Sequence, residues 1–332
     1  MPALAVSLGD PAGIGPELLA EAWARRIEEG LPPFFAVGGG VVLKAAATLR
    51  GLDVPVRRIS DPAEAATVFA EALPVLGNAD GDYRPGEPDR DGATLALASL
   101  REASQLAVAG AATGIVTGPI AKSRLAEVGF THPGQTEFVA EACGVGPDDA
   151  VMMLAGPNLR TVPLTVHTAL AKVPGLLTID LIIRKARITA AALQRDFGIA
   201  SPRLAIAALN PHAGEDGRMG DEEIRIIAPA VAALRAEGIN ATGPHPADAL
   251  FAPHERANYD IALCMYHDQA LIPLKALDFD QGVNATLGLP IIRTSPDHGT
   301  AFGIAGKRIA RPGATIAAIR MAGECAARRV QA

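Results

Sequence analysis

The stretch LAVSLGDPAGIGPELLAEAWARRIEE, residues 4–29, decides the fold class. LAVSL at 4–8 is a short apolar run of strand length. A turn crowded with glycine and proline follows it, and from Pro16 the apolar residues return at helical spacing. This succession recurs along the chain. Strand candidates fall at 4–8, 34–38, 114–118, 150–155, 161–166, 203–209, 260–266 and 290–294, and helix candidates at 16–29, 62–73, 91–108, 176–196, 221–237 and 314–329. Strands that alternate with helices specify an α/β chain with mainly parallel sheets, and strands covered on both faces read as nearly unbroken apolar runs. Residues 80–90, dense in charge, glycine and proline, are expected to form an exposed loop. No repeat or long linker marks a boundary, so a two-domain chain would cross between its domains more than once.

At 332 residues with 49% hydrophobic side chains, the sequence has material for two packed cores. Charged residues make up 20% and the net charge is −6, so no basic stripe invites a nucleic acid. The first residues carry no basic segment ahead of a long apolar run. The stretch GLLTIDLII is interrupted by Asp180 and falls short of the roughly 20 residues that span a bilayer. A cytoplasmic protein with no membrane partner is the expectation. Cys143, Cys264 and Cys325 are odd in number and lack C-x-x-C spacing, which argues against a disulfide framework or a thiolate zinc site.

Four features could carry chemistry. GDPAGIGPE, 9–17, is a glycine-rich strand-to-helix turn that either presents N–H groups to an anion or simply turns the chain; it matches neither common nucleotide fingerprint. His167 ends TVPLTVH, His212 follows RLAIAALNP and His267 follows DIALCMY. Ligands of open α/β sheets bind at the carboxyl ends of strands, and three imidazoles there suit a catalytic divalent ion that keeps positions open for substrate. The plain alternative is that each histidine caps backbone at a strand end. Lys275, Asn284 and Arg293 lie among glycines in a weakly charged run suited to a phosphate or carboxylate, though a single Lys or Arg is ordinarily a solvated charge. SPDHGTAFGIAG, 295–306, could lie against a flat ligand or merely turn the chain.

The motifs GDPAGIGPE, VTGPIAKS (116–123), PGQTEF (133–138), LNPHAGE (209–215), YHDQ (266–269) and GVNATLGLPIIRTSPDHGTAF (282–302), in that order, resemble the 4-hydroxythreonine-4-phosphate dehydrogenases of pyridoxal phosphate biosynthesis. The resemblance implies an isocitrate/isopropylmalate dehydrogenase-like fold with α/β/α layers, two α/β domains and a cleft between them. The expected domains are 1–130 plus 285–332 on the cofactor side and 131–284 on the metal and dimer side. It implies a homodimer with its active site at the subunit interface and one divalent ion, zinc, magnesium or cobalt, on His167, His212 and His267. It further implies substrate contacts from Gln135, Thr136, Lys275, Asn284 and Arg293. SPDHGTAFGIAG is similar to the cofactor loop of β-decarboxylating dehydrogenases, which implies NAD or NADP at His298, Gly299 and Thr300. The implied reaction is oxidation of the C3 hydroxyl of 4-phosphooxy-L-threonine. Two departures stand out: Gln135 occupies a position where the family usually has histidine, and Gly303 one where related dehydrogenases usually have aspartate. A relative acting on a different phosphorylated hydroxy acid is therefore the alternative. A phosphate-binding acyltransferase would have no need of the three histidines, and a metal-dependent hydrolase no need of a dinucleotide loop. Asp248 and Asp268, near motif residues, are each a candidate proton acceptor or a partner that orients a ligand histidine.

Overall fold

The computed structural model describes residues 2–331. The strands are β1 (Leu4–Ser7), β2 (Phe34–Val37), β3 (Val56–Ile59), β4 (Leu73–Leu76), β5 (Ile115–Thr117), β6 (Val151–Ala155), β7 (Arg160–Pro163), β8 (Leu204–Ala207), β9 (Ala241–His245), β10 (Ile261–Cys264), β11 (Val283–Leu287) and β12 (Arg293–Pro296). The chain forms two compact units, Met1–Pro147 with Leu289–Ala327, and Asp148–Gly288 with Arg328–Ala332. Residues 131–147 thus lie in the first unit, where the expectation from sequence puts them in the second, and residues 285–288 and 328–331 lie in the second, where it puts them in the first. The helix Gln135–Ala142 packs on the helix Arg90–Val108, and β11 pairs with β6 over its whole length in the second unit. No helix among the described residues is long and apolar enough to cross a membrane.

In the first unit the strands lie in the order β3-β4-β2-β1-β5-β12, and every pair is parallel. In the second the order is β11-β6-β7-β10-β8-β9. There β11–β6 and β6–β7 are antiparallel and the remaining pairs parallel. β1, β2, β4, β8 and β10 are buried at every position. Successive side chains point to opposite faces, so both faces of these strands are covered.

β1 lies between β2 and β5, and the chain leaves it in one direction and returns on the other side. The crevice at the carboxyl ends of β1 and β5 is therefore a topological switch point, where α/β sheets bind ligands. Backbones meet closely there. A Cβ on Gly9, whose φ is +72°, would sit 2.6 Å from the Pro119 carbonyl oxygen, and one on Gly118 would sit 2.6 Å from that of Ser7. Only glycine permits that approach, and Asp10 N–H donates to the Pro119 carbonyl at 2.9 Å.

The exit from β8 is clamped by a buried acid. Glu223, 3% exposed, accepts the N–H groups of Leu209 and Asn210, each at 2.8 Å, and the Asn210 amide at 2.9 Å. Beyond it the chain winds left-handedly, with φ of 51° at His212, 53° at Ala213, 42° at Glu215 and 55° at Asp216. Each such non-glycine residue costs about 1–2 kcal/mol, so something must hold the turn. Glu223→Ala strips the acceptor from two backbone donors and should lower the unfolding free energy by roughly 2–4 kcal/mol in urea titrations. An unchanged unfolding free energy would show that the carboxylate holds nothing.

Candidate active site

β7, β10 and β8 are adjacent parallel strands, and His167, His267 and His212 each follow the carboxyl end of one of them. The rings of His167 and His267 approach to 6.0 Å between centroids. They line a cavity of about 300 Å³ with Thr165, Thr168, Tyr266 and Asp268. That volume lies at the small end of ligand sites, enough for an ion and part of a small substrate but not for a dinucleotide. His167 has a φ of 50°, a left-handed backbone costly for a side chain with Cβ and common at functional sites. His267 opens the helix His267–Asp278, and its Nδ1 lies 2.7 Å from the Asp268 carboxylate. With Nδ1 so engaged, Nε2 is the nitrogen left to face a ligand. Asp268 thus makes the contact expected of a partner that orients the ring, and Asp248 is an exposed residue of the helix Ala247–Leu250.

Two imidazoles on one ion at about 2.1 Å would have ring centroids roughly 5–6 Å apart, so the 6.0 Å separation is at the upper end of what a shared divalent cation allows. His212 does not complete such a site within one chain. Among the described residues, no three His, Cys, Asp or Glu side chains are grouped so as to hold a metal. Of the other expected contacts in this unit, Lys275 is exposed on the helix His267–Asp278. Asn284 is half-buried in β11, opposite Leu154. Its Oδ1 is buried and makes no hydrogen bond within the protein, which leaves an acceptor for a ligand donor.

In the first unit, three of the expected substrate residues come together. Arg293 at the start of β12 is 3% exposed. It donates to Thr117 Oγ1 at 2.8 Å, Thr136 Oγ1 at 3.3 Å and Gln135 Oε1 at 3.4 Å. Burial lowers the guanidinium pKa to about 10, against the opposing pull of the Glu137 carboxylate. It is therefore cationic at neutral pH, and an anion beside it would restore the charge-stabilising surroundings that burial removes. Thr117 was not singled out from sequence. A hydroxyl closing the apolar run GIVT at a strand's carboxyl end is the signal that could have found it.

The loop 295–306 and the turn 9–17 meet. Thr300 offers its carbonyl to the Ile14 N–H at 2.9 Å, while Ala12 and Gly13 N–H donate to the side chain and backbone of Asp10, each at 3.0 Å. Those N–H groups are used within the protein, and through them the turn docks the loop. His298 Nδ1 lies 3.0 Å from the Gly299 carbonyl, and Ala301 has a φ of 46°. Asp10 is 2% exposed, and its Oδ2 is buried with no partner. Burial pushes its carboxyl pKa upward, a shift only partly offset by the Ala12 N–H and reinforced by the Asp89 carboxylate. A carboxyl raised in the folded state contributes stability at acid pH that is lost as pH rises through its folded pKa. At neutral pH the ionised group is therefore a cost. Asp10→Asn keeps the acceptor for Ala12 and removes the buried charge, so it should stabilise by about 1 kcal/mol, or roughly 2 °C in thermal midpoint. A lower midpoint in calorimetry would refute the assignment.

The profile of the family described as pyridoxal phosphate biosynthetic protein PdxA matches residues 31–322. The chain is 65% identical over 329 residues to a 4-hydroxythreonine-4-phosphate dehydrogenase of Erythrobacter litoralis, covering 99% of this chain and 98% of that one. A crystal structure of the enzyme of that name from Klebsiella pneumoniae superposes with a TM-score of 0.86 at 39% identity, over 98% of each chain. A terephthalate 1,2-cis-dihydrodiol dehydrogenase from Burkholderia xenovorans gives a TM-score of 0.65 at 30% identity, over 97% of this chain and 98% of that one.

Proposed function

Because the chain belongs to the family of the pyridoxal phosphate biosynthetic protein PdxA, we propose that it is a 4-hydroxythreonine-4-phosphate dehydrogenase that oxidises the C3 hydroxyl of 4-phosphooxy-L-threonine. What carries the reading is the 65% identity across 99% of the chain to a dehydrogenase of that name. Hydride leaves C3 for NAD or NADP and the hydroxyl proton leaves to a base. The resulting 2-amino-3-oxo-4-phosphooxybutanoate loses CO2 to give 3-amino-2-oxopropyl phosphate. The chemistry of hydride transfer belongs to the nicotinamide, and the protein supplies position and field.

In this reading the phosphate is bound by the Arg293 guanidinium with Thr136, and Lys275 and Asn284 contribute a cation and an amide to the substrate. His167 and His267 hold a divalent ion (zinc, magnesium or cobalt), and Asp268 fixes the His267 ring through Nδ1. A divalent ion bound there supplies Lewis acidity that makes the substrate hydroxyl easier to deprotonate. His212 joins the site in a homodimer. The helix that carries Lys275 supports that assembly: Ile272 on it is 65% exposed and Phe279 just after it 67%, an apolar surface suited to cover by a second copy. His298, Gly299 and Thr300 face the dinucleotide.

A second reading, oxidation of a different hydroxy acid, is favoured by one observation. A dehydrogenase named for a dihydrodiol is 30% identical over nearly the whole chain. The test is NAD(P)H absorbance with 4-phosphooxy-L-threonine, with and without chelator. Turnover lost on chelation is expected. Turnover of other hydroxy acids but not of this one would sink the first reading.

A further inference from the structure

We propose that Gln135 is a positioning residue that orients the Arg293 guanidinium, and is not itself a ligand of the substrate; the inference rests on the reading of Arg293 as the anion clamp.

Gln135 begins the helix Gln135–Ala142, and its side chain spans two fixed points. Its Nε2 donates to the Gly118 carbonyl at 2.9 Å, and its Oε1 accepts from Arg293 Nη2 at 3.4 Å. This determines the carboxamide orientation. Reversing it would set an NH2 against the guanidinium and an oxygen against a carbonyl, so both contacts would turn repulsive. The Gly118 end is rigid, because its loop packs on the loop after β1 so closely that a Cβ at Gly118 would clash with Ser7. The Arg293 end is buried, and the same Nη2 reaches Thr117 at 2.8 Å while Nη1 reaches Thr136 at 3.3 Å. Two hydroxyls and one amide thus brace the guanidinium plane, and Gln135 does so without adding a charge. Neutrality matters, since a carboxylate at 135 would compete with the incoming anion and a cation would repel the guanidinium. Glutamine is long enough to brace the plane and leaves its charge to the ligand. A guanidinium held in one plane meets phosphate or carboxylate oxygens in pairs, and a loosened one loses that pairing.

The test is a double-mutant cycle read on binding of 4-phosphooxy-L-threonine by calorimetry without cofactor, alongside turnover. Gln135→Met keeps length and volume while removing both hydrogen bonds, so folding should survive; thermal midpoints verify this. The expected result is an affinity loss of roughly 5–10-fold when Arg293 is present and less than about 2-fold in the Arg293→Met background. A purely structural role would move the midpoint and leave the affinity of the folded fraction unchanged, which would overturn the proposal. Equal losses in both backgrounds would mean that Gln135 touches the ligand directly, and no loss in either would mean that it does neither; both results overturn it. Coupled binding without turnover would leave the positioning role standing and sink the dehydrogenase reading. Failure of the wild-type protein to bind would remove both.

Discussion

Arg293→Met should lower kcat/KM for the phosphorylated substrate by about two decades or more, while the thermal midpoint of the ligand-free protein changes by no more than roughly 2 °C. The two expectations have one cause. The guanidinium is 3% exposed and has given up most of its hydration for Thr117, Thr136 and Gln135. Burying a cation is costly, and the Glu137 carboxylate offsets that cost only in part, so replacing it with an apolar chain of similar length costs the empty protein little. With an anion bound the balance reverses, because each charge-assisted hydrogen bond lost costs about 1.5–3 kcal/mol. The pH dependence follows with a definite sign. A base whose folded pKa is depressed destabilises while charged, so its cost to folding fades as pH rises through about 10, and substrate affinity should fade over the same range. Unaltered kinetics in the variant, or a large drop in midpoint, would assign Arg293 to the core and not to the site.

His267→Ala should reduce turnover by roughly three decades and abolish its dependence on added divalent ion, the scale expected when a Lewis-acid site is lost. His167→Ala should do the same, because the two rings face one cavity at 6.0 Å. Asp268→Asn is the graded control. It weakens the partner of His267 Nδ1 without removing the ring, so a loss of about 10–100-fold in ion affinity is expected. Metal titration by calorimetry separates the cases. A wild-type enzyme fully active after exhaustive chelation would sink this assignment and leave the histidines as strand-end caps.

Much of the fold was legible because burial writes directly into sequence. All eight stretches expected as strands overlap a strand, and those buried at every position, such as FFAV and LAIA, are the unbroken apolar runs. Four strands were missed: β4, LPVL, is buried throughout, but its apolar run directly follows the stretch 62–73 read as a helix, and the other three have surroundings that break the rule. β3 reads VRRI with both arginines exposed at the sheet edge, and β9 reads ATGPH, with glycine and proline, at the opposite edge of its sheet. β11, VNATL, was read for its asparagine and not for its alternation. The helix His267–Asp278 went unnoticed because Pro273 lies inside it, which placed Lys275 in an irregular run when it stands on a helix face.

Of the candidate site, the strand-end position of the histidines was legible, since a polar residue closing an apolar run needs only local sequence. What the structure adds is nonlocal. Thr117, Gln135 and Arg293 are separated by up to 176 residues, and no spacing rule could have joined them. The turn 9–17 likewise left two readings open, and the Thr300 carbonyl at Ile14, with Asp10 accepting from Ala12 and Gly13, shows the part it plays in shaping the chain.

The left-handed winding at residues 212–216 bears on how this protein would respond to selection. Glycine is the cheap residue at positive φ, and Gly214 already uses it, yet His212, Ala213, Glu215 and Asp216 keep side chains there. A library screened for thermostability alone should drift toward glycine at Ala213 and Glu215. A library screened for growth that depends on turnover should hold His212 fixed whatever its backbone costs. Divergence of the two enriched pools at these positions would separate residues kept for their side chains from residues merely carried by the turn.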